Sequence, residues 1–331
     1  MAVITGMNVR DVKAGDNRVL TNLANGYTNA EFVGKYLSPF VKVKSRTGLV
    51  ISFDKSTFRR HKDDRAPGGP YNIIEAGYES DPYSVKNKGL MYKVPVEHQE
   101  EAAQASINLG MMAQSALSDA EALNIELEQR DMAINPANYN GSTAALSGTD
   151  RFDDPTSTPG LLVRDVSSDT ARKCGRRPNL ILTGPDVTNA LAVHPDVKQQ
   201  FHQTNSGSIT DDMLKEYFGL PKEGRYITGE AIEEVNPATG ETDFIWGKYF
   251  ILAYVNPAAL KSGEIAYTAN NNLNRITQPS KFYTYVLDGN PTVSNPFWDE
   301  FHDSWFYKIK FERSTENTGI DSGYLLSTVV S

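Results

Sequence analysis

Side chains able to do chemistry are few and scattered. Cys174, the single cysteine, sits in Thr170-Ala-Arg-Lys-Cys-Gly-Arg-Arg. Cations at Arg172, Lys173, Arg176 and Arg177 would favour a thiolate. No histidine-bearing motif accompanies it, so it reads as a small residue near a helix end. One cysteine makes no internal disulfide, which fits a reducing compartment. His61, His98, His194, His202 and His302 never pair at i, i+4, and nothing has zinc spacing. His194 and His202 bracket a short helix and read as solvated imidazoles. Carboxylates pair along the chain at Asp63-Asp64, Asp153-Asp154, Asp211-Asp212 and Glu233-Glu234. Glycosidase chemistry needs two that converge in space. Each pair lies beside turn or cap signals and reads as solvated surface. Asp153-Asp154 lacks the rest of a calcium loop. Gly224-Arg-Tyr-Ile-Thr-Gly lacks the lysine of a phosphate loop, and no Gly-x-Ser-x-Gly elbow occurs. The expectation is therefore no catalytic residue, no metal, no cofactor and no enzyme.

One charged cluster stands out: Arg59, Arg60, Lys62, Asp63, Asp64 and Arg65, with His61 among them. Interleaved acids argue against a nucleic-acid contact. An isolated exposed pair contributes little stability, so mixed charge serves register and partner choice. The cluster is accordingly expected to be an intersubunit salt-bridge tip, with a solvated loop as the bland alternative. The whole chain carries a formal charge of −8 over 331 residues, which does not suit a dedicated nucleic-acid binder. Met1-Ala-Val-Ile-Thr-Gly has neither the charged nor the apolar region of a secretory leader. No window approaches a membrane helix. A protein made in a cytoplasm is expected.

The cluster must be carried by surrounding elements. Residues 1–45 read as a polar arm with one short helix around Thr28–Tyr36, stopped by Pro39. Residues 46–94 read as a β-hairpin. Gly48-Leu-Val-Ile-Ser-Phe is one strand, and Tyr83–Val94 returns after a tip punctuated by Pro67, Gly68, Gly69 and Pro70. Two strands with a charged tip have too little apolar surface to stand alone. Residues 97–135 predict a single long helix. Glu97, Glu100 and Glu101 lie at its start; Leu109, Ala113, Ala116, Ala120, Leu123 and Leu127 lie on its packed face. Unbroken, it would approach about 55–60 Å, with Gly110 as a bending point. Residues 140–178 read as a weakly patterned connection. An α/β region then starts near Pro178, with helices from Pro185, Pro195 and Asp211, the last capped by Thr210. Its expected strands are Asn179–Gly184, Arg225–Glu234 and, as the strongest, Phe244–Val255. Lys281–Leu287, Ser304–Arg313 and Gly323–Val330 are expected as strands closing the chain.

Particular stretches resemble the major capsid proteins of tailed double-stranded DNA bacteriophages. They are Arg65-Ala-Pro-Gly-Gly, Val94-Pro-Val-Glu-His-Gln-Glu-Glu-Ala and Glu126-Leu-Glu-Gln-Arg-Asp. Thr183-Gly-Pro-Asp-Val-Thr-Asn-Ala-Leu, His194-Pro-Asp-Val-Lys and Ile245-Trp-Gly-Lys-Tyr-Phe-Ile-Leu-Ala-Tyr-Val-Asn-Pro continue the likeness. No one motif is specific; their order along nearly the whole chain carries the resemblance. It implies an α+β HK97-like fold: N-terminal arm 1–45, extended loop 46–94, peripheral domain with spine helix 95–140, axial domain 141–298, and return strands of the peripheral domain 299–331. It implies self-assembly as hexamers and pentamers into an icosahedral-type shell around packaged double-stranded DNA. Portal, scaffolding and decoration proteins would be partners, DNA contact would be weak and non-specific, and no membrane would be involved. The location would be the virion, assembled in the host cytoplasm. An encapsulin-like compartment shares the fold expectation. A soluble carbohydrate-active or ligand-binding α+β protein would instead show a deep pocket with converging carboxylates.

Overall fold

The computed structural model describes residues 29–53, 60, 63–65, 71, 73, 78–104, 108–201, 209–265 and 280–331. Two sheets organise the chain. In the five-stranded sheet, β6 (Leu180–Thr183) and β10 (Phe250–Ala253) are buried at every position. Such continuous apolar runs suit strands covered on both faces. The order is β5 (Thr143–Ala145), β15 (Gly323–Ser327), β10, β6, β7 (Arg225–Thr228). Side chains alternate between faces. Leu180, Leu182, Ile251 and Leu325 join Trp246 and Phe282 in one core. Ile181, Phe250, Leu252 and Leu326 join a second core with Val163, Val187, Val197 and Leu214. Those last residues come from α4 (Pro159–Cys174), α5 (Pro185–Val193), α6 (Pro195–Phe201) and α7 (Asp211–Tyr217).

The six-stranded sheet runs β11 (Glu264–Ile265), β1 (Phe40–Val43), β12 (Phe282–Leu287), β14 (Ser304–Asn317), β13 (Thr292–Asp299), with β4 (Lys86–Pro95) also on β14. β4 and β14 pair antiparallel from Pro95 opposite Ser304 to Lys86 opposite Arg313. Helix α3 (Leu109–Ile134) lies on one face, and its Ala113 and Leu117 pack with Val94, Tyr307 and Ile309. Two ribbons stand apart: β2 (Thr47–Phe53) pairs with β3 (Tyr78–Ser84), and β8 (Ile232–Asn236) with β9 (Glu241–Phe244).

Several expectations change. The long helix is two helices, α2 (Val96–Gln104) and α3, the latter 26 residues or about 39 Å long. Asn108 starts α3 afresh: its backbone is extended and its side chain accepts from Met111 N at 3.1 Å. Gly110 lies in the first turn, where any Cβ would collide with the Tyr307 hydroxyl. The return strand 83–94 divides at Val85. β3 stays with the ribbon, whereas β4 leaves to pair with β14. The connection 140–178 contains helix α4, with Pro159 in its first turn and Gly175 as a left-handed cap at φ 77°. The expected strand 244–255 is interrupted by a turn with Gly247 at φ 44°, and 225–234 by a break between β7 and β8. The short arm helix is Gly34–Leu37 (α1), and Thr210 makes no side-chain cap. The strands of 299–331 part company: β14 lies in the six-stranded sheet and β15 in the five-stranded one. β12, from within 141–298, joins β14.

Candidate functional site: a polar seam along the long helix

The expected cluster lies between β2 and β3. Arg60, Asp63, Asp64 and Arg65 are exposed, and the Arg65 guanidinium lies 3.9 Å from the Tyr71 ring centre. Arg59 and Lys62 lie outside the described residues. The ribbon that carries the cluster is fastened at its root. Arg46 donates to both Glu312 oxygens at 2.5 and 3.0 Å. Val85 N donates to Arg46 O at 2.8 Å, and Tyr83 stacks on Tyr285 with centroids 4.6 Å apart. The Arg46 guanidinium, then Lys310, hold the Glu312 carboxyl down to about 2.

A set of buried polar side chains lies on α3. Ala116 and Ala120 are exposed, whereas Glu121, Glu126 and Gln129 are buried. Glu121 and Glu128, one heptad apart, grip Arg313 of β14. Its Nε and Nη2 donate to Glu128 at 3.1 and 2.7 Å, and Nη1 donates to Glu121. Lys88 of β4 adds an ion pair to Glu128 at 2.6 Å. Arg313 is 1% exposed, so loss of either side would strand a charge away from water.

The next turn holds the arm. Glu126 Oε1 accepts from Trp246 Nε1 at 2.6 Å and Val33 N at 3.1 Å, and both its oxygens accept from Gly34 N. Burial pushes the Glu126 carboxyl up; the Trp246 bond and the two amides oppose that push. Gly34 is required, because a Cβ there would run into Gln129 and Glu126. Gln129 Nε2 donates to Ser38 O at 3.1 Å and Thr284 Oγ1 at 3.0 Å. Arg130 then pairs with Glu233 of the β8–β9 ribbon. Five side chains of one helix, Glu121, Glu126, Glu128, Gln129 and Arg130, thus hold the six-stranded sheet, the arm, the turn at Trp246 and a ribbon. Lys281, fully buried where β12 approaches the five-stranded sheet, donates to Asn138 O, Gly319 O and Ile320 O. Burial lowers it to about 7.

Other reactive groups are structural. Burial raises the Cys174 thiol, contrary to what an activated nucleophile needs. His194 is 2% exposed, not a solvated imidazole. Its Nδ1 accepts from Asp196 N at 3.1 Å, which puts the ring proton on Nε2, 2.9 Å from Asp154 O. Nε2 also lies 3.0 Å from Ser157 Oγ, but a protonated nitrogen cannot take the serine proton. The His-Pro-Asp tripeptide is therefore a helix-entry device. A nearby cavity of about 250 Å³ is lined by hydroxyls of Thr149, Thr156, Ser157 and Thr158 with one carboxylate, Asp150. It lacks the paired carboxylates of a glycosidase site. No helix among the described residues is long and apolar enough to cross a membrane.

No protein-family model matches the chain. It is 32% identical over 318 residues to the major capsid protein of Burkholderia phage BcepMu, covering 94% of this chain and 95% of that one. The crystal structure of a phage-related protein from Bordetella bronchiseptica RB50 matches with a TM-score of 0.68 at 30% identity, over 94% and 96% of the two chains. The capsid of the Myoviridae phage XM1 matches with a TM-score of 0.54 at 11% identity, over 98% and 99%, a likeness of fold alone. The chain belongs to the bacteriophage major capsid proteins, structural components of the capsid with an α+β HK97-like fold.

Proposed function

We propose that the chain assembles as hexamers and pentamers into an icosahedral-type shell that encloses packaged double-stranded DNA. Assembly takes place in the host cytoplasm with portal, scaffolding and decoration proteins as partners. The carrying observation is the β2–β3 ribbon. It pairs with no other strand of its own chain among the described residues, and it is fixed at its root by Arg46–Glu312. A two-stranded ribbon of this kind gains order only against another surface. In this reading Arg60, Asp63, Asp64 and Arg65, together with Arg59 and Lys62, contact a neighbouring subunit. The boundaries 46–94 for an extended loop and 141–298 for an axial domain belong to the same reading. The chain's net charge of −8 favours sparse phosphate contacts with the enclosed DNA.

The test is electron microscopy and sedimentation of the purified protein, alone and co-expressed with the other head proteins of its phage. Closed particles built of five- and six-membered rings are expected, with DNA inside particles recovered from infection. A folded monomer under every one of these conditions would contradict the proposal. Particles filled with a protein cargo would point to an enzyme-holding compartment instead.

A further inference from the structure

The six-stranded sheet has one face on α3 and one face turned away from it. Register defines the outer face. Phe297, Phe306 and Lys93 form one row across β13, β14 and β4, and Ser294, Lys308 and Met91 form the next. Phe297 and Phe306 stack at 5.6 Å, the Lys308 ammonium lies 5.9 Å from the Phe297 ring centre, and Phe297 and Met91 are 42% and 53% exposed. Lys93 and Lys308 are exposed beside them. This is an apolar and cationic sheet face that, among the described residues, its own chain touches only at one end, where His302 packs on Phe306 and Asp299 lies near Lys93.

The complementary chemistry is on the β8–β9 ribbon. Between Arg225 and Lys248 the chain has no basic residue, but it has Glu230, Glu233, Glu234, Glu241 and Asp243. Ile232 and Val235 of the ribbon are 41% and 60% exposed. The ribbon cannot reach the sheet face of its own subunit. Arg130 holds it through Glu233, and Asn29 exchanges two hydrogen bonds with Ile232, so it sits at the C-terminal end of α3. The lysine-bearing sheet packs at Ala113 and Leu117, about 20–25 Å nearer the other end of that helix. Two unlike patches separated along one subunit make a head-to-tail contact between copies, the kind that closes into rings.

We infer that the outer face of β13–β14–β4, through Lys93, Lys308, Met91 and Phe297, receives the acidic β8–β9 ribbon of a second copy of this chain. The inference rests on the shell-forming reading and deepens it by naming the two faces that meet.

The test is charge exchange. Lys93→Glu with Lys308→Glu, and separately Glu234→Lys with Glu241→Lys, should each lower ring and particle yield about tenfold with melting unchanged. All four changes in one chain restore opposite charge across every contact, and should bring yield back to within about twofold of the wild type. A four-fold variant that assembles no better than either pair overturns the inference, as does normal assembly of either pair. Lysine variants that form shells normally but retain less DNA would assign the face to nucleic acid and also overturn it. Wild-type protein that never assembles defeats the shell reading itself, and this inference with it; a wild type that assembles while the exchanges have no effect defeats only the pairing.

Discussion

In the five-stranded sheet every residue of β6 and β10 is buried, and apolar side chains fill both faces. The six-stranded sheet meets α3 differently. It packs apolar residues at the helix start, Ala113 and Leu117, and then pairs Arg313 and Lys88 with Glu121 and Glu128. Its other face carries exposed Met91 and Phe297. Apolar packing depends mainly on area and tolerates small slips, whereas a buried guanidinium between two carboxylates accepts one register. The first region supplies a self-sufficient core. The second fixes how arm, helix and long strands lie, and leaves one face exposed.

Breaking the seam tests that contrast most severely. Arg313→Ala leaves Glu121 buried without its cation and should cost about 3–5 kcal/mol in urea unfolding. A loss below about 1 kcal/mol would mean that apolar contacts alone hold α3 to the sheet. Glu126→Gln keeps the side chain's shape but places an amide donor among donors from Gly34 and Trp246. About 1–3 kcal/mol is expected, together with faster proteolysis ahead of Val33. Unchanged protection of the arm would separate the arm from the seam. Smallest for folding is Arg60→Glu with Arg65→Glu: both positions are exposed, so subunit stability should move by no more than about 0.5 kcal/mol. Particle yield should nevertheless fall, and normal yield would leave the loop as solvated surface.

The sequence was most legible where apolar pattern coincides with structure. Leu180–Thr183, the helix after Pro185 and the strand at Phe282–Leu287 follow directly from hydrophobic runs and proline placement. Helical spacing puts Ala116 and Ala120 on the packed face and does not single out the seam of Glu121, Glu126 and Gln129. A trace of it is visible in β14: Tyr307, Ile309 and Phe311 mark the inward phase, and Arg313 falls on that phase. An arginine in an apolar register needs carboxylates, and Glu121 and Glu128 lie a heptad apart on one helix face. His194 hid for a related reason. Its burial follows from capping the Asp196 amide, a backbone role that residue type alone does not announce. The division of 83–94 between two sheets depends on pairing with residues more than 200 positions away, which no local pattern records.

That long-range pairing also governs the order in which the subunit can become complete. β15 lies between β5 and β10, so residues 323–327 fill a slot whose walls begin at Thr143 and Phe250. Until β15 arrives, the facing edges of β5 and β10 are unpaired strands within a largely apolar sheet. Closing such distant contacts is entropically slow and leaves sticky edges open in the meantime. The chain therefore has a vulnerable interval between synthesis of its first sheet residues and insertion of its last strand. During that interval the open edges are exposed to premature association.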